Sequence, residues 1–460
     1  MKKVLILGGG VSGLACDFYL KSNTKVEVLG FEQNPYLGGH AYSWDEDKHF
    51  WDDGPHVFFG TKNDVEPFFN FSNDTEVNAT VLNFAESKWI NHPVYVNLVD
   101  LPKNEAEYLS KSLINSRAQL PNFENKSPNY KDFLIDTYGE EYAEKFPLRY
   151  NNKYWRSNLS EMSTDWINSR MFKPSIKQVL AGVNSRQNLH YINKFRYPIE
   201  NGYLSYLKEA ITDSRIKKNT VVKEINLSER KITTDSGEFN FDYLINTIPL
   251  NSFISMCKDV PTDVKVASSN LENTSMLIVN ITFNGTVDPF FHWAYIHDSS
   301  LLSTRITNYS NLNYNNGENM FDINESELKV SRLQVEVYES KSQPFELSHN
   351  EIAKKVVDEL LLMGLIPKNS KVKWSIKYSA MANVIFNLKR RNSLEKIFDY
   401  LEEYGLGRTN NEFSANLIES VSTPMSSLFL VGRFAQWNYY WTHDCAKKAK
   451  IVANQISNEA

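Results

Sequence analysis

The residues with the clearest chemical meaning lie at the start of the chain. Gly8, Gly10 and Gly13 form a closely spaced set, and Glu32 follows Gly13 by 19 residues. Gly8 permits a sharp turn, Gly10 lets a pyrophosphate approach the backbone, and Gly13 lets a helix lie close to a strand. Val11 and Ser12 fill the same turn. Phosphates placed there meet the unpaired N–H groups and the positive dipole end of a helix. Glu32 is placed to accept hydrogen bonds from a ribose diol. The chemistry is recognition of a dinucleotide, provided a strand leads into the turn and a helix leaves it. Both conditions are met: Lys2 to Leu7 is a short apolar run, and Leu14 to Leu20 is apolar at helical spacing. Lys25 to Phe31 reads as a second buried strand running up to the acid, so the unit opens a parallel sheet.

His56 is a second candidate, in the run Trp51-Asp52-Asp53-Gly54-Pro55-His56-Val57-Phe58-Phe59. Gly-Pro enforces a turn, and a lone histidine beside a turn and an apolar run is more readily structural than functional. The three cysteines, Cys16, Cys257 and Cys445, have neither metal-ligand spacing nor an even count for a disulfide framework. No metal site is expected.

The chain has 460 residues, too many for one simple core, so two or three packed regions are expected. Its 50 basic and 55 acidic residues are interspersed, which gives no electrostatic case for nucleic acid or an acidic membrane. No apolar run approaches the roughly 18 residues of a membrane span, and the N-terminus lacks a signal-peptide pattern. The expectation is a soluble, cytoplasmic protein. Its aromatic content of 13% suits core filling and equally suits a site that stacks rings.

Along the chain, residues 64 to about 178 read as helices and loops broken by Pro93, Pro102, Pro121, Pro128 and Pro147. Phe133 to Tyr150 and Thr164 to Phe172 are expected as helices. Leu204 to Ile211 reads as a helix, and Val221 to Ile225 with Lys231 to Thr233 as a strand pair turning at Ser236-Gly237. Phe241 to Pro249 should return to the first sheet. Met276 to Phe283, Trp293 to His297 and Val330 to Glu339 suggest strands of a second sheet. Ile352 to Met363 and Leu394 to Tyr404 are amphipathic helices. Leu428 to Arg433 is a buried strand meeting a glycine turn, and Asp444 to Ile456 a closing helix. The expected regions are 1–62, 180–262 and 425–460 as a discontinuous nucleotide domain, 63–179 as a helical one, and 263–424 as an antiparallel sheet domain.

Several separated motifs resemble known flavoproteins. Asn34-Pro35-Tyr36-Leu37-Gly38-Gly39-His40-Ala41 resembles the second glycine motif of a large class of FAD proteins that includes amine oxidases and phytoene desaturases. Gly54-Pro55-His56-Val57-Phe58, Phe146 to Trp155, Ser163 to Arg170, His292 to Thr307 and Gly432 to Tyr439 together resemble the UDP-galactopyranose mutase family. The resemblance runs in order over most of the chain. It implies an α/β fold: a Rossmann-type FAD-binding domain with a helical insertion and a second, antiparallel-sheet substrate domain. It implies FAD, active when reduced, held by Gly8, Gly10, Val11, Ser12, Gly13, Glu32, Gln33, Gly38, Gly39, His40, His56, Val57, Val222, Gly432, Arg433, Tyr439, Tyr440 and Thr442. Phe146 and Tyr150 match the rings flanking uracil, Asn151 a polar partner of the nucleoside, and Trp155 the tryptophan behind it. Arg170 and Arg305 match the two pyrophosphate arginines, and Tyr295 and Tyr439 substrate tyrosines. Asn383 replaces a tyrosine that touches substrate in relatives, which leaves the sugar open.

The implied reaction is an interconversion of the pyranose and furanose forms of a nucleotide sugar, for cell-surface polysaccharide. In that family N5 of the reduced flavin attacks the anomeric carbon, with His56 near the flavin and Arg170 and Arg305 on the departing diphosphate. The partners implied are the nucleotide sugar and an electron donor such as NAD(P)H or a reduced flavin carrier; a homodimer is left open. Two other readings stand beside this one. The first is an FAD-dependent oxidase or desaturase of an amine, porphyrinogen or polyene, and the second a flavin-binding protein without activity.

Overall fold

The structure is a computed structural model of the chain and describes residues 1–46, 49–119, 127–167, 171–187, 189, 193–312, 330–408 and 426–459. Where three regions are expected, the chain forms two compact units. The first comprises Met1–Asp74, Pro198–Glu272 and Lys389–Ala460, the second Thr75–Tyr197 and Asn273–Leu388.

The first unit is built on a five-stranded sheet in the order Leu428–Leu430, Tyr243–Asn246, Lys2–Leu7, Val26–Phe31, Ile216–Lys217. Every pairing is parallel. Parallel strands are covered on both faces, which is why the central one reads as an unbroken apolar run; Val4, Ile6 and Leu7 are fully buried. The helix Val11–Tyr19 starts directly from the glycine turn and packs against the last helix, Thr442–Glu459. Ala446, Ala449 and Ala453 on that helix are buried and small, so the two axes approach closely. An antiparallel sheet of three strands follows, Val222–Asn226, Lys231–Thr234 and Gly237–Asn240. The Ser236-Gly237 turn therefore leads into a third strand and does not close the expected pair. The expected helix from Leu204 is a 3-10 turn, Tyr203–Leu207, running into Lys208–Thr212.

The second unit is organised by a seven-stranded sheet. Its order is Val372–Val384, Asn273–Asn284, Val330–Ser340, Arg305–Asn308, Trp293–Ile296, Val81–Ala85, Lys88–Asn91. The hairpin at its edge comes from the stretch expected to be helical. Trp293–Ile296 pairs in parallel with Val81–Ala85, so this sheet joins the expected helical and sheet regions in one body.

The expected helix Phe133 to Tyr150 is three helices: Tyr130–Tyr138, Glu140–Lys145 and Pro147–Trp155. Gly139 breaks the first with a φ of 85°, and Pro147 starts the third, where its missing N–H costs nothing. Residues 164–167 form a turn closed by Ile167 N–H on the Thr164 carbonyl, not a helix.

Strand alternation gives the sheet two different faces. Leu277, Val279, Ile281, Leu333, Val335, Val337 and Ile306 share a core with Ile352, Val356 and Leu360 of the helix His349–Leu362. On the other face, register aligns Lys377, Ile278, Glu336, Arg305, Tyr295 and Asn83 in one cross-strand row.

Candidate functional site

In the first unit the glycines are constrained by what surrounds them. A Cβ on Gly13 would lie 2.0 Å from the Gly8 carbonyl oxygen, so this helix tolerates no side chain against its strand. Gly8 has a φ of +100°, and a Cβ there would meet Thr247 Oγ1 at 2.6 Å. Gly10 differs: a Cβ would find only Gly39 Cα, at 3.8 Å. The open flank of the cradle is therefore at Gly10, where a phosphate needs it. The second glycine motif closes on the first, with Gly38 N–H donating to the Gly9 carbonyl at 2.8 Å. Glu32 organises the same corner. Its carboxylate accepts from Gly9 N–H and from Asn34 N–H, each at 2.8 Å. Each oxygen keeps a second lone pair for a ribose hydroxyl. Thr220 N–H donates to the Glu32 carbonyl, which brings Val222 and the exposed Gln33 to this corner.

The C-terminal motif lies against the cradle. Gly432, at φ +114°, is so close to Ser12 that a Cβ would stand 2.4 Å from its hydroxyl. Arg433 Nε donates to the Tyr440 carbonyl at 2.8 Å, and its guanidinium lies over the Tyr439 ring. Tyr440 is buried with Cys445, and the half-buried Val11 packs against them. Trp437 adopts the left-handed φ of 49°, a strained state for a bulky residue. The buried Arg390 holds that turn, donating to the Trp437 carbonyl through Nε (2.9 Å) and Nη2 (2.7 Å). Tyr203 and Thr442 share a hydrogen bond of 2.6 Å.

His56 lies in this unit beside Val57 and against Tyr203, with its Nδ1 3.0 Å from the Gly54 carbonyl. A carbonyl only accepts, so Nδ1 carries the proton and Nε2 presents a lone pair. Burial pushes its pKa down to about 4 against the opposing pull of Asp53. At neutral pH His56 is an uncharged acceptor and holds no proton to give from Nε2. Its neighbour His40 donates to Asp53 at 2.8 Å.

The second unit carries the other group. Phe146 and Trp155 are fully buried, whereas Tyr150 keeps part of its surface. Asn151 is turned inward: its oxygen accepts from Trp155 Nε1 and the Tyr130 hydroxyl, and its nitrogen donates to the Pro147 carbonyl. That amide fixes the Trp155 ring and keeps one N–H for a ligand. Tyr150 stands edge-on to Tyr295 at 5.4 Å. Asn383 is buried, with its N–H on Thr274 Oγ1 and its oxygen accepting from the Tyr154 hydroxyl at 3.1 Å.

Arg305 is held side-on by Glu336, through Nε to Oε2 at 2.6 Å and Nη2 to Oε1 at 2.7 Å. This geometry leaves the Nη1 end for a ligand. Burial opposes the charge, but Glu336 and Tyr338 more than compensate and hold the guanidinium pKa well above its ordinary value. The Tyr338 hydroxyl donates to the same carboxylate at 3.0 Å. Arg170 lies outside the described residues. The sequence reading missed Glu336 and Tyr338. Their signal was the period-two stripe Gln334, Glu336, Tyr338, polar or aromatic at each step and opposite the apolar Leu333, Val335 and Val337.

His297 is buried and donates from Nδ1 to the Phe146 carbonyl at 3.0 Å, which leaves Nε2 without a proton, facing the Asn83 amide at 3.1 Å. Burial lowers its pKa to about 4. A histidine so depressed takes up its proton in the unfolded chain first, so stability is lost as pH falls from about 6.5 towards 4. The expected contribution at pH 5 is a loss of about 2 kcal/mol. It is checked by denaturant midpoints at pH 7 and 5, where His297→Gln should show a smaller drop than wild type.

Three comparisons place these observations. Residues 6–71 match the model of the NAD(P)-binding Rossmann-like domain, the stretch that holds both glycine motifs and Glu32. No curated protein matches the sequence significantly. Among solved structures, reduced UDP-galactopyranose mutase superposes with a TM-score of 0.84 at 20% identity, covering 100% of this chain and 94% of that one. A protein assigned as a protoporphyrinogen oxidase from Exiguobacterium sp. 255-15 gives 0.67 at 16% identity, covering 100% and 99%. A redesigned putrescine oxidase gives 0.60 at 14%, covering 99% and 98%. The fold is that of these solved structures, and the two-motif cradle fits a dinucleotide such as FAD. Among the described residues no helix is long and apolar enough to cross a membrane.

Proposed function

We propose that this chain is an FAD-dependent mutase interconverting the pyranose and furanose forms of a nucleotide sugar, with UDP-galactopyranose as the leading substrate. The observation that carries the reading is the Arg305–Glu336 pair on the sheet face, with Tyr150, Tyr295 and Tyr338 around it. A cationic group among phenols suits a diphosphate; a polyene or amine oxidase needs an apolar channel for its substrate. When bound and reduced, the flavin supplies a nucleophilic nitrogen for the anomeric carbon.

The chain's own residues then account for binding and charge. Tyr150 stacks the base, and Trp155, fixed by Asn151, backs it. Binding energy at the base is thereby used far from the bond that breaks. Arg305 donates from Nη1 to a diphosphate oxygen, and the contact strengthens as that oxygen gains charge on leaving. Glu336 keeps the guanidinium fixed in orientation, so little reorganisation is needed as charge develops. Neutral His56 orients without adding charge. The enzyme needs an electron donor, such as NAD(P)H or a reduced flavin carrier, to reach its active state.

The competing reading is an amine or porphyrinogen oxidase. The two separate on the visible spectrum of the purified yellow protein under nitrogen. Amines, porphyrinogens and polyenes should leave the oxidised flavin unreduced, while UDP should bind. Flavin bleaching by an amine with no UDP binding would replace the mutase reading by an oxidase.

A further inference from the structure

The eight residues connecting the strands of Tyr295 and Arg305, 297–304, are gripped by side chains of opposite charge. On one side Lys153 Nζ donates to the carbonyls of Ile296 (3.1 Å), Asp298 (3.0 Å) and Ser303 (2.6 Å). On the other, Glu359 accepts from Leu302 N–H (2.5 Å), Ser303 N–H (2.9 Å) and the Ser303 hydroxyl (2.5 Å). His297 ties the same connection to the Phe146 carbonyl. Tyr295 and Arg305 are the cross-strand pair next to this connection, which Ile296 N–H closes on the Thr304 carbonyl. Lys153 belongs to Pro147–Trp155, the helix that bears Tyr150.

An ammonium has three donors, and here all three meet backbone carbonyls. Lys153 thus has no donor left for a ligand and acts through the residues it holds. We propose that Lys153 is a positioning residue, locking the ring that stacks the base at a fixed distance from the arginine and tyrosine that receive the diphosphate. The inference rests on the nucleotide-sugar reading above.

A neutral amine has two donors, so deprotonation releases one of the three carbonyls. Burial lowers the Lys153 pKa to about 7, against Glu359 and Asp298, which favour the charge. Among the described residues, His297, Arg149, Tyr150 against the His297 ring, and Glu86, which donates its N–H to Asp298 and pairs with Arg149, also face this connection. The clamp therefore weakens as pH rises above neutrality.

The test compares UDP with uridine, titrated calorimetrically into the full-length flavoprotein at pH 7 and 8.5. In wild type, UDP affinity should fall about fivefold or more between these pH values while uridine affinity stays level. Lys153→Met should weaken UDP about tenfold or more and uridine less than about twofold, with flavin retained. Lys153→Arg, always charged, should restore UDP binding and remove its pH dependence. Equal losses for UDP and uridine in Lys153→Met, or a wild-type UDP affinity independent of pH, would overturn the proposal. If Lys153→Met fails to fold, the wild-type and Lys153→Arg pH profiles decide. Failure of wild type to bind either probe would instead overturn the nucleotide-sugar reading.

Discussion

Arg305→Ala should keep its flavin and lose about 30- to 1000-fold in turnover, the cost of removing one charge-stabilising donor of about 2–4 kcal/mol. Flavin retention is expected because the glycine cradle and Glu32 lie in the first unit, and Arg305 in the second. The truncation has a second consequence. Glu336, which is 1% exposed, would be left as a buried charge without its bidentate partner. Such a break destabilises by about 3–5 kcal/mol. Stability and turnover are separable by the double variant Arg305→Met/Glu336→Gln, which removes both charges. It should recover the melting temperature of the second unit and still lack turnover. Near-normal turnover in Arg305→Ala, measured on protein with full flavin content, would remove Arg305 from the diphosphate.

Gly13→Ala should abolish the folded flavoprotein. The added methyl would lie 2.0 Å from the Gly8 oxygen and 3.2 Å from Thr247 Oγ1, and the first is backbone with no freedom to move aside. Separating the first helix from its strand costs about 3 kcal/mol or more and deforms the turn itself. Gly10→Ala is the informative partner. Its methyl meets only Gly39 Cα at 3.8 Å, so the apoprotein should fold with a melting temperature near wild type yet hold little flavin. The ratio of flavin to protein absorbance and the apoprotein melting curve together measure both effects. Full flavin content in Gly10→Ala would mean that no phosphate approaches that position.

The first unit was largely legible in the sequence because its signals are local. An apolar run, a glycine turn and an apolar helix are adjacent in the chain, and each restricts the next. The second unit was harder. Val81–Ala85 is fully buried but only five residues long, and its partner Trp293–Ile296 is more than 200 residues away, so nothing local distinguished it from a helix. The helix expected over Phe133 to Tyr150 carries helical periodicity in pieces, and Gly139 and Pro147 set the breaks. Val372–Val384 is an edge strand whose alternation over Lys373 to Tyr378 runs against the usual sense: the apolar Trp374, Ile376 and Tyr378 are exposed and the polar Ser375 and Lys377 half-buried, so the pattern does not mark core and solvent faces.

The residues of the candidate site were legible as types, and their partners were not. Arg305 was singled out by a motif, but Glu336 acquires its meaning only from strand register, which the sequence alone does not fix. The same holds for Lys153. Its neighbours in sequence are Asn152 and Tyr154, whereas its three acceptors lie some 150 residues further on. Asn151 shows the converse: its position in the motif was readable, and its inward hydrogen bonds to Trp155 and Tyr130 depend on tertiary packing.

The most direct measurement is turnover by the purified protein reduced with dithionite under nitrogen, offered a panel of UDP-, dTDP- and GDP-pyranoses and furanoses, with products separated by chromatography. The expected result is interconversion of one pyranose–furanose pair, UDP-galactose first among them, that stops when the flavin is reoxidised. No interconversion of any sugar by fully reduced, flavin-replete protein that binds UDP would contradict it.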